Sequence, residues 1–485
     1  MRAEPSNSVG AKGAVIPGTL NCLILFLGVL TSAGFLTGCG SDAFSATPAA
    51  PTQAPALPGA QPIAAADRVY TADQTSNTVT VISPATNTVL GTIALGNARP
   101  DDLLGALYSK QITTHGLGFS PDGTLLAAVN VTTNSVSVIE TATNTVKGTV
   151  YLRRAPHEAF FTPDGKEIWV AVRGEGHVSV IDVASLKETL QIQTTDGAAM
   201  VIFRPDGVVA FVNSSRTAEL TVVDVKTHAV VKRITGLVSP FSPNLAASPD
   251  GKEVWLTHKD VGKVSIVDAQ TFAVLGVIDT GMTTNHVNFV TRSDGNFAYV
   301  SVGGEDKIKV YQRNGGTPAL VGTIATGNEP HGIWPSPDNS RVYVCLESQD
   351  AAQVVDTASL TVIATLKIGQ MCEALVYVAN AVPAGDGLAG LTQQNVNLRI
   401  QSMKLAITGG GNAEIVIREL QGVDSVDVLG RGLAPGRTYR VFALMPGGAQ
   451  QFIADFKADA KGAGGVSPML KFFDAGLTGV VVSPG

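Results

Sequence analysis

The length, composition and charge of the chain exclude several classes of protein. Its 485 residues are enough for two or three domains, and 45% of them are hydrophobic. The formal net charge is −6 with charges of both signs scattered, so no basic stripe predicts binding to nucleic acid. The chain lacks the CxxCH motif of a covalent c-type haem and the CxxC spacing of many zinc sites. P-loop, GxSxG and HExxH motifs are also absent, which argues against an exported enzyme that uses ATP.

Residues 1–39 are predicted to form a lipoprotein signal peptide. Arg2 and Lys12 give a positive start, and a largely apolar run extends over Leu20–Leu36. The run ends in LTGC, which resembles a bacterial lipobox, and this resemblance implies cleavage before Cys39 and lipidation of its thiol. The alternative is a plain membrane span, because roughly 17 apolar residues are just enough to cross a bilayer.

Residues 40–65 are rich in Ala, Pro, Ser and Thr and show no apolar period, which predicts a disordered tether. With lipid on Cys39, the tether would hold the following domains away from a membrane. The expected location is therefore extracytoplasmic, in a bacterial cell envelope. Gly40 after the lipidated cysteine favours the outer membrane in a bacterium with two membranes.

The segment His157–Gln193 contains one complete structural repeat. Four β-rich runs, Ala159–Thr162, Ile168–Val172, His177–Asp182 and Thr189–Ile192, are separated by Pro-Asp-Gly, Gly-containing and polar turns. Four strands in roughly 40 residues is the size of one blade of a β-propeller.

Six such units fit between Thr114 and Gly369, and a seventh is split between two parts of the chain. Arg68–Gly96 supplies its second to fourth strands, and Met371–Val378 supplies the missing first strand. Closing a ring in this way removes exposed sheet edges. The sequence therefore predicts an all-β fold with a seven-bladed propeller over residues 66–380, closed by pairing its two ends.

The repeat VYTADQTSNTVTVISPATNTVLGTIALG resembles the YVTN-type β-propeller repeat, with NSVSVIETATNTVKGTV as a further copy. The resemblance covers about two-thirds of the chain. It implies a fold related in architecture to the propeller of nitrous oxide reductase. It implies little about function, because many members look like surface or secreted proteins without a known reaction.

Histidines recur at one position of the predicted first strands, which line the central channel of a propeller. Alignment of the repeats gives a ring of Cys372, His115, His157, Ala199, Asn244, His286 and His331. Imidazole and thiolate suit copper, zinc or iron, and nitrous oxide reductase carries copper on propeller histidines. The ring thus predicts a site for copper or another transition metal on its four histidines and Cys372. The acids that could orient the rings are Glu158, Glu329 and Glu373.

Two other interpretations of these residues stay open. Pro-His-Gly is a common form of the repeat itself, so duplication alone could place histidines at equivalent positions without a metal. Cys345 and Cys372 lie in neighbouring predicted blades, and a disulfide between them would staple the seam of the ring in an oxidising compartment. Such a disulfide would compete with Cys372 as a metal ligand.

A second domain follows the propeller. Residues 381–394 are rich in Pro and Gly and are predicted to be a linker. Short alternating runs over residues 395–485 predict a small antiparallel β-sandwich. The sandwich contains no His or Cys, so no catalysis is expected from it.

Two functions from different classes fit these features. The first is a lipid-anchored, non-enzymatic scaffold that binds a protein, glycan or small molecule at its channel mouth. The second is a metal- or haem-dependent redox protein that uses the channel histidines. A propeller lactonase is a third idea, which rests on fold analogy and on no particular residue.

Overall fold

The computed structural model describes residues 62–95, 113–392, 400–407, 409–419, 424–471 and 478–485. The predicted signal peptide, Cys39 and all but the last residues of the tether lie outside the described residues. Within the described ranges, no helix is long and apolar enough to span a membrane.

Strands account for nearly all regular structure in this part of the chain, together with two short 3-10 helices, Gly303–Glu305 and Pro446–Gly448. In chain order, strands 1 to 14 of the propeller are β1 (Arg68–Asp73), β2 (Thr78–Ser83), β3 (Thr88–Ala94), β4 (Thr114–Phe119), β5 (Leu125–Asn130), β6 (Ser135–Glu140), β7 (Thr145–Tyr151), β8 (Pro156–Phe161), β9 (Glu167–Val172), β10 (His177–Asp182), β11 (Lys187–Gln193), β12 (Ala198–Phe203), β13 (Val209–Ser214) and β14 (Glu219–Asp224). The others are β15 (Val230–Thr235), β16 (Leu245–Ala247), β17 (Glu253–His258), β18 (Lys263–Asp268), β19 (Val274–Asp279), β20 (Thr284–Arg292), β21 (Gly295–Val302), β22 (Lys307–Gln312), β23 (Ala319–Ala325), β24 (Pro330–Pro335), β25 (Arg341–Leu346), β26 (Ala351–Asp356), β27 (Thr361–Lys367) and β28 (Cys372–Val378).

These strands form seven four-stranded antiparallel sheets, which are the blades of the propeller. Blade 1 has the strand order β28-β1-β2-β3, and blades 2 to 7 are β4–β7, β8–β11, β12–β15, β16–β19, β20–β23 and β24–β27. The first strands of neighbouring blades contact each other all around the ring. The seven-bladed propeller predicted from the sequence is confirmed, and blade 1 closes the ring as expected, with Arg68 opposite Val378 and Ala72 opposite Ala374.

The turn between the first two strands of a blade shows why the repeat keeps its Ser-Pro-Asp-Gly pattern. In blade 2, Ser120 Oγ donates to Asp122 Oδ1 at 2.5 Å and accepts from the backbone N–H of Leu125 at 2.9 Å. Gly123 closes the turn with a φ of 73°, a conformation that favours glycine. The same contact between hydroxyl and carboxylate recurs at Thr162–Asp164, Ser248–Asp250 and Ser336–Asp338.

A disulfide joins blades 7 and 1 at the seam of the ring. It links Cys345 on β25 with Cys372 on β28, whose Cα atoms are 5.5 Å apart. Both residues are fully buried in an apolar cluster with Tyr343, Leu375 and Tyr377. Since β28 also closes blade 1, the bond ties the final strand to two blades at once.

The C-terminal residues form two packed antiparallel sheets, as expected for a small β-sandwich. One sheet contains β29 (Ile400–Ala406), β30 (Asn412–Glu419), β31 (Asp424–Arg431) and β34 (Gly464–Lys471). The other contains β32 (Thr438–Leu444), β33 (Gln450–Lys457) and β35 (Gly479–Pro484). Their facing sides share one core, in which Ile415 and Val428 of the first sheet pack with Val441 and Ile453 of the second.

The segment that leads to the sandwich is attached to the propeller. Thr392 pairs with Thr92 of β3, and Asn144 donates to the carbonyls of Gly387 at 2.8 Å and Ala389 at 3.0 Å. These contacts satisfy backbone groups that a free linker would expose to water.

Removal of the disulfide should destabilise the propeller measurably. The bond spans a sequence separation of 27 residues, and closing a loop of this length stabilises a fold by about 3–4 kcal/mol. We expect the Cys345→Ala/Cys372→Ala variant to unfold at a lower temperature than the wild type in non-reducing thermal unfolding. The reduced wild type should match the variant. An unchanged unfolding temperature would show that the bond does not hold the seam.

Candidate functional site

A β-bulge at the start of the inner strands projects side chains into the channel. In blade 2 the pairing of β4 with β5 shifts register between Thr114 and Leu117, so His115 and Gly116 lie outside the regular ladder. A bulge bends its strand and redirects side chains, and bulges are frequent beside binding sites. The same shift occurs in other blades at Pro156/Glu158, Ala198/Val201, Thr284/Val287 and Pro330/Ile333.

The closing blade contributes Glu373 to the ring, where the sequence alignment placed Cys372. In blades 2, 3, 7 and 1 a residue with positive φ stands two positions before the ring residue; these residues are Thr113, Ala155, Glu329 and Met371. Neighbouring residues of a strand point to opposite faces, so a shift of one position moves a side chain out of the channel. Cys372 therefore faces the blade core, where it is bonded to Cys345. The spacing of 42 residues that separates most neighbouring ring positions, as from His157 to Ala199 and from His331 to Glu373, is the signal that identifies Glu373.

The glycine after the ring histidine has a structural reason. A Cβ on Gly116 would lie 2.3 Å from the carbonyl oxygen of His157, and one on Gly332 would lie 2.7 Å from that of Glu373. At Gly116 and Gly332 the inner strand of the next blade thus approaches too closely for a side chain. Strand packing explains the glycine of the Pro-His-Gly pattern and leaves the histidine to be explained by its own contacts.

All four predicted histidines line one cavity of about 320 Å³ at the channel mouth, which we call the cup. The ring centroids of His115 and His157 are 4.2 Å apart, and those of His286 and His331 are 4.7 Å apart. The charged residues that line the cup with them are Arg173, Lys259, Glu347 and Glu373.

Aromatic side chains narrow the channel beneath the cup. Trp334 of β24 lies with its ring centroid 5.9 Å from Phe119 of blade 2 and 6.5 Å from Phe160 of blade 3. Since β24 belongs to blade 7, the indole reaches across the channel. A smaller cavity of about 170 Å³, lined in part by Trp334, Phe160 and Met200, lies at this level. The cup thus has an apolar floor.

Hydrogen bonds fix the orientation of three of the histidines. His157 Nδ1 donates to the carbonyl of Ala199 at 2.7 Å, and His331 Nδ1 donates to the carbonyl of Glu373 at 2.6 Å. Each of these rings therefore keeps an Nε2 with a free lone pair. Asn244 donates to His286 Nδ1 at 3.2 Å, which leaves the proton of that neutral ring on Nε2.

Burial keeps the imidazoles neutral. It lowers the pKa of His115 and His286 to about 3, and it lowers the pKa of His157 and His331 well below the usual range. Neutral imidazole is the form that binds metal ions or accepts protons.

The acids beside the ring have raised pKa values. Burial, reinforced by the Glu373 carboxylate, raises the pKa of Glu158 to about 8, and Glu158 Oε1 lies 3.8 Å from His115 Nδ1. Burial raises the pKa of Glu373 to about 7 and that of Glu347 well above its usual range. Glu329, the third acid predicted to orient the ring, instead accepts from Arg431 and Ser348 at 2.9 and 2.8 Å.

Three residues of the cup that sequence reasoning missed share one place in the repeat. Arg173, Lys259 and Glu347 each follow the last residue of the second strand of a blade, in blades 3, 5 and 7. Gln74 holds the same place in blade 1 and also lines the cup. These positions form a second ring around the histidines, and an alignment on the end of the second strand would have found them.

The histidines do not surround a single point. Among the described residues, the one group close enough together to hold a metal ion consists of His331, Glu347 and Glu373, whose ligand atoms lie within 4.8 Å of one another. A site on all four histidines and Cys372 is therefore not assembled.

The β-sandwich docks on the face of the propeller that carries the cup. Arg418 of β30 is 1% exposed and donates to the Asp350 carboxylate, at 2.9 Å for the closest pair, and to the Glu347 carbonyl at 3.0 Å. Asp350 belongs to the turn that carries Glu347, so the sandwich holds one wall of the cup. Among the described residues, further ion pairs across this contact are Arg431–Glu329, Lys404–Asp306 and Lys461–Asp260.

These features define a seven-bladed β-propeller with a polar site at its channel mouth. A family model described as "Lactonase, 7-bladed beta-propeller" matches residues 152–362, which is less than half of the chain. Two relatives called "Uncharacterized protein YncE", from Salmonella typhi and Salmonella typhimurium, are each 32% identical over 93 residues. The match spans 19% of this chain and only 25% of each relative.

Two solved structures support the fold alone. A functionally unknown protein from Desulfotomaculum acetoxidans is 14% identical, with a TM-score of 0.52 over 63% of this chain and 99% of that protein. A putative 6-phosphogluconolactonase from Bacteroides fragilis is 16% identical, with a TM-score of 0.52 over 64% of this chain and 98% of that protein. Together with the YncE relatives, they place this chain among repeat-built β-propellers.

The neutral histidines should make the fold sensitive to acid. The pKa of His115 is about 3 in the folded protein and 6.5 in an unfolded chain, so the unfolded state takes up the proton first as the pH falls. The stability that His115 contributes is present above pH 6.5 and is lost toward pH 3. We expect His115→Gln to remove up to about 5 kcal/mol of this loss, measured as the free energy of unfolding against pH. His228→Gln, outside the cup, is the control, and an unchanged pH slope in His115→Gln would contradict the prediction.

Proposed function

We propose that the protein is a lipid-anchored, extracytoplasmic binding protein whose cup takes a small anionic molecule. The observation that carries this proposal is the presence of two cations, Arg173 and Lys259, in one concave site with four neutral histidines. A cavity of about 320 Å³ is in the range of small-molecule sites and is too narrow for a folded protein domain.

Arg173 is held in a way that suits recognition of an anion. Its Nε donates to Ser215 Oγ at 3.2 Å, and its guanidinium lies 5.6 Å from the centre of the Phe241 ring. Among the hydrogen bonds of the described residues, Arg173 uses only this nitrogen of its side chain. The two terminal nitrogens are thus available for the bidentate contact that guanidinium makes with carboxylate or phosphate.

The histidines add specificity without adding charge. The lone pairs of His157 Nε2 and His331 Nε2 can accept hydrogen bonds from hydroxyl groups of a ligand. We therefore infer a small molecule that combines a carboxylate or phosphate with hydroxyl groups.

The proposed anchor and location rest on sequence and redox chemistry. The LTGC motif, which ends at Cys39, supports lipidation in a bacterial cell envelope, on the outer membrane or the periplasmic face. The Cys345–Cys372 disulfide fits an oxidising compartment.

A second candidate function is hydrolysis of a small lactone. It is favoured by the lactonase family model and by His157, whose bond to Ala199 leaves Nε2 unprotonated as a general base in the cup. Consumption of glucono-δ-lactone at constant pH tests it. A rate that His157→Gln abolishes would establish hydrolysis, and a rate equal to that of buffer alone would leave binding as the function.

Replacement of either cation should weaken anion binding. A hydrogen bond to a charged group contributes about 1.5–3 kcal/mol, so Arg173→Gln and Lys259→Gln should each raise the Kd by roughly 10- to 100-fold. Isothermal titration of the purified full-length chain with citrate and with inorganic phosphate measures this, with glucose as the neutral ligand.

The matched control is Lys166→Gln, which changes an exposed lysine in the turn between β8 and β9 of blade 3. The proposal fails if citrate and phosphate bind no better than glucose, or if Lys166→Gln weakens binding as much as the changes in the cup.

A further inference from the structure

One histidine and two glutamates of the cup come together from blades 7 and 1. His331 Nε2 lies 3.3 Å from Glu373 Oε2 and 3.9 Å from Glu347 Oε2. His331 comes from the bulge of β24, Glu373 from β28 and Glu347 from the residue after β25. Two inner strands and one second strand thus converge on a single point in the wall of the cup.

The histidine is oriented as metal-binding histidines are. Its Nδ1–H donates to the carbonyl of Glu373 at 2.6 Å, which fixes the tautomer and leaves Nε2 as a lone-pair donor. His331 and Glu373 are 7% and 6% exposed, so the rigid wall of the cup holds both groups.

Glu347 has an oxygen that lacks a hydrogen-bond partner. Its Oε2 is buried and receives no hydrogen bond from the residues that the structure describes. An unsatisfied buried carboxylate oxygen is costly unless a cation, a water molecule or a ligand approaches it. Within the group, this oxygen lies 3.9 Å from Nε2 of the neutral His331, which is too far for a hydrogen bond.

We propose that His331 Nε2, Glu347 and Glu373 bind one divalent transition-metal ion, of the Zn²⁺ or Mn²⁺ type, in the wall of the cup. Bonds of about 2.0–2.2 Å at tetrahedral angles place ligand atoms about 3.3–3.6 Å apart. The distances of 3.3 and 3.9 Å from Nε2 are already close to this spacing. One nitrogen and two carboxylate oxygens suit Zn²⁺ or Mn²⁺ better than the all-oxygen sites of Ca²⁺.

The ion deepens the proposed binding function, on which this inference rests. Three protein ligands leave at least one coordination position open, and it faces the cup that Arg173 and Lys259 also line. A carboxylate or phosphate could therefore bind the metal and the two cations together. The positive side chains would then balance the negative charge of the ligand, while the two glutamates balance the positive charge of the ion.

The test is metal binding by the purified full-length chain after removal of metals with a chelator. Titration with ZnCl₂ and with MnCl₂ should show one ion per chain. His331→Ala and Glu347→Gln should each weaken binding by about 100-fold or more. His115→Ala removes a cup histidine outside the group and should change the affinity by less than about threefold. Circular dichroism of each metal-free variant checks that it is folded.

The inference is overturned if the folded wild type binds neither ion, if Mg²⁺ binds as tightly as Zn²⁺ and Mn²⁺, or if His115→Ala weakens binding as much as Glu347→Gln. Citrate and phosphate titrations of the metal-free protein separate this inference from the proposed function. Anion binding that depends on Arg173 and Lys259 in a protein that takes up no ion would refute the metal site alone. Stoichiometric metal without anion binding would refute the anion-binding function alone.

Discussion

The pairing of β28 with β1 is the interaction on which the rest of the structure depends. It joins the end of the propeller to its beginning, so that blade 1 has all four of its strands and the inner strands stay packed around the channel. The same strand places Glu373 beside His331 of blade 7. Closure of the ring and assembly of the cup are therefore consequences of one strand, and the disulfide at Cys372 reinforces that strand from its other face.

Polar side chains lie at the mouth of the channel because the bulges take their residues out of the regular hydrogen-bond ladder between the first two strands of a blade. The bulges turn side chains toward the channel, and in blades 2 and 7 a glycine after the histidine allows the next blade to approach closely. Burial then keeps the imidazoles neutral and favours the protonated form of the carboxyl groups, as the pKa values of His115 and Glu158 show. The cup can thus present many donors and acceptors beside the cationic side chains of Arg173 and Lys259.

The fold could be predicted from the sequence because it rests on local chemistry repeated many times. Ser-Pro-Asp-Gly turns and alternating strands identify each blade, and the unmatched strand at Met371–Val378 identifies the closure.

The site was only partly predictable, since the four histidines were found but Cys372 stood in place of Glu373. The links before the first strands vary in length, and a shift of one residue reverses which face a side chain occupies. Arg173, Lys259 and Glu347 were missed because their residue types differ and only their place after the second strand is shared. The contacts of Arg418 with Asp350 depend on the docking of two domains, which no repeat pattern encodes.

The position of Arg418 makes the β-sandwich part of the energetics of the cup. Its guanidinium bonds to Asp350 and to the carbonyl of Glu347, so docking of the domains helps to hold the turn that carries this glutamate. Any molecule that prefers this arrangement of the turn also favours docking, and docking favours that molecule by the same free energy. The two domains and the occupant of the cup therefore form a reciprocally linked system.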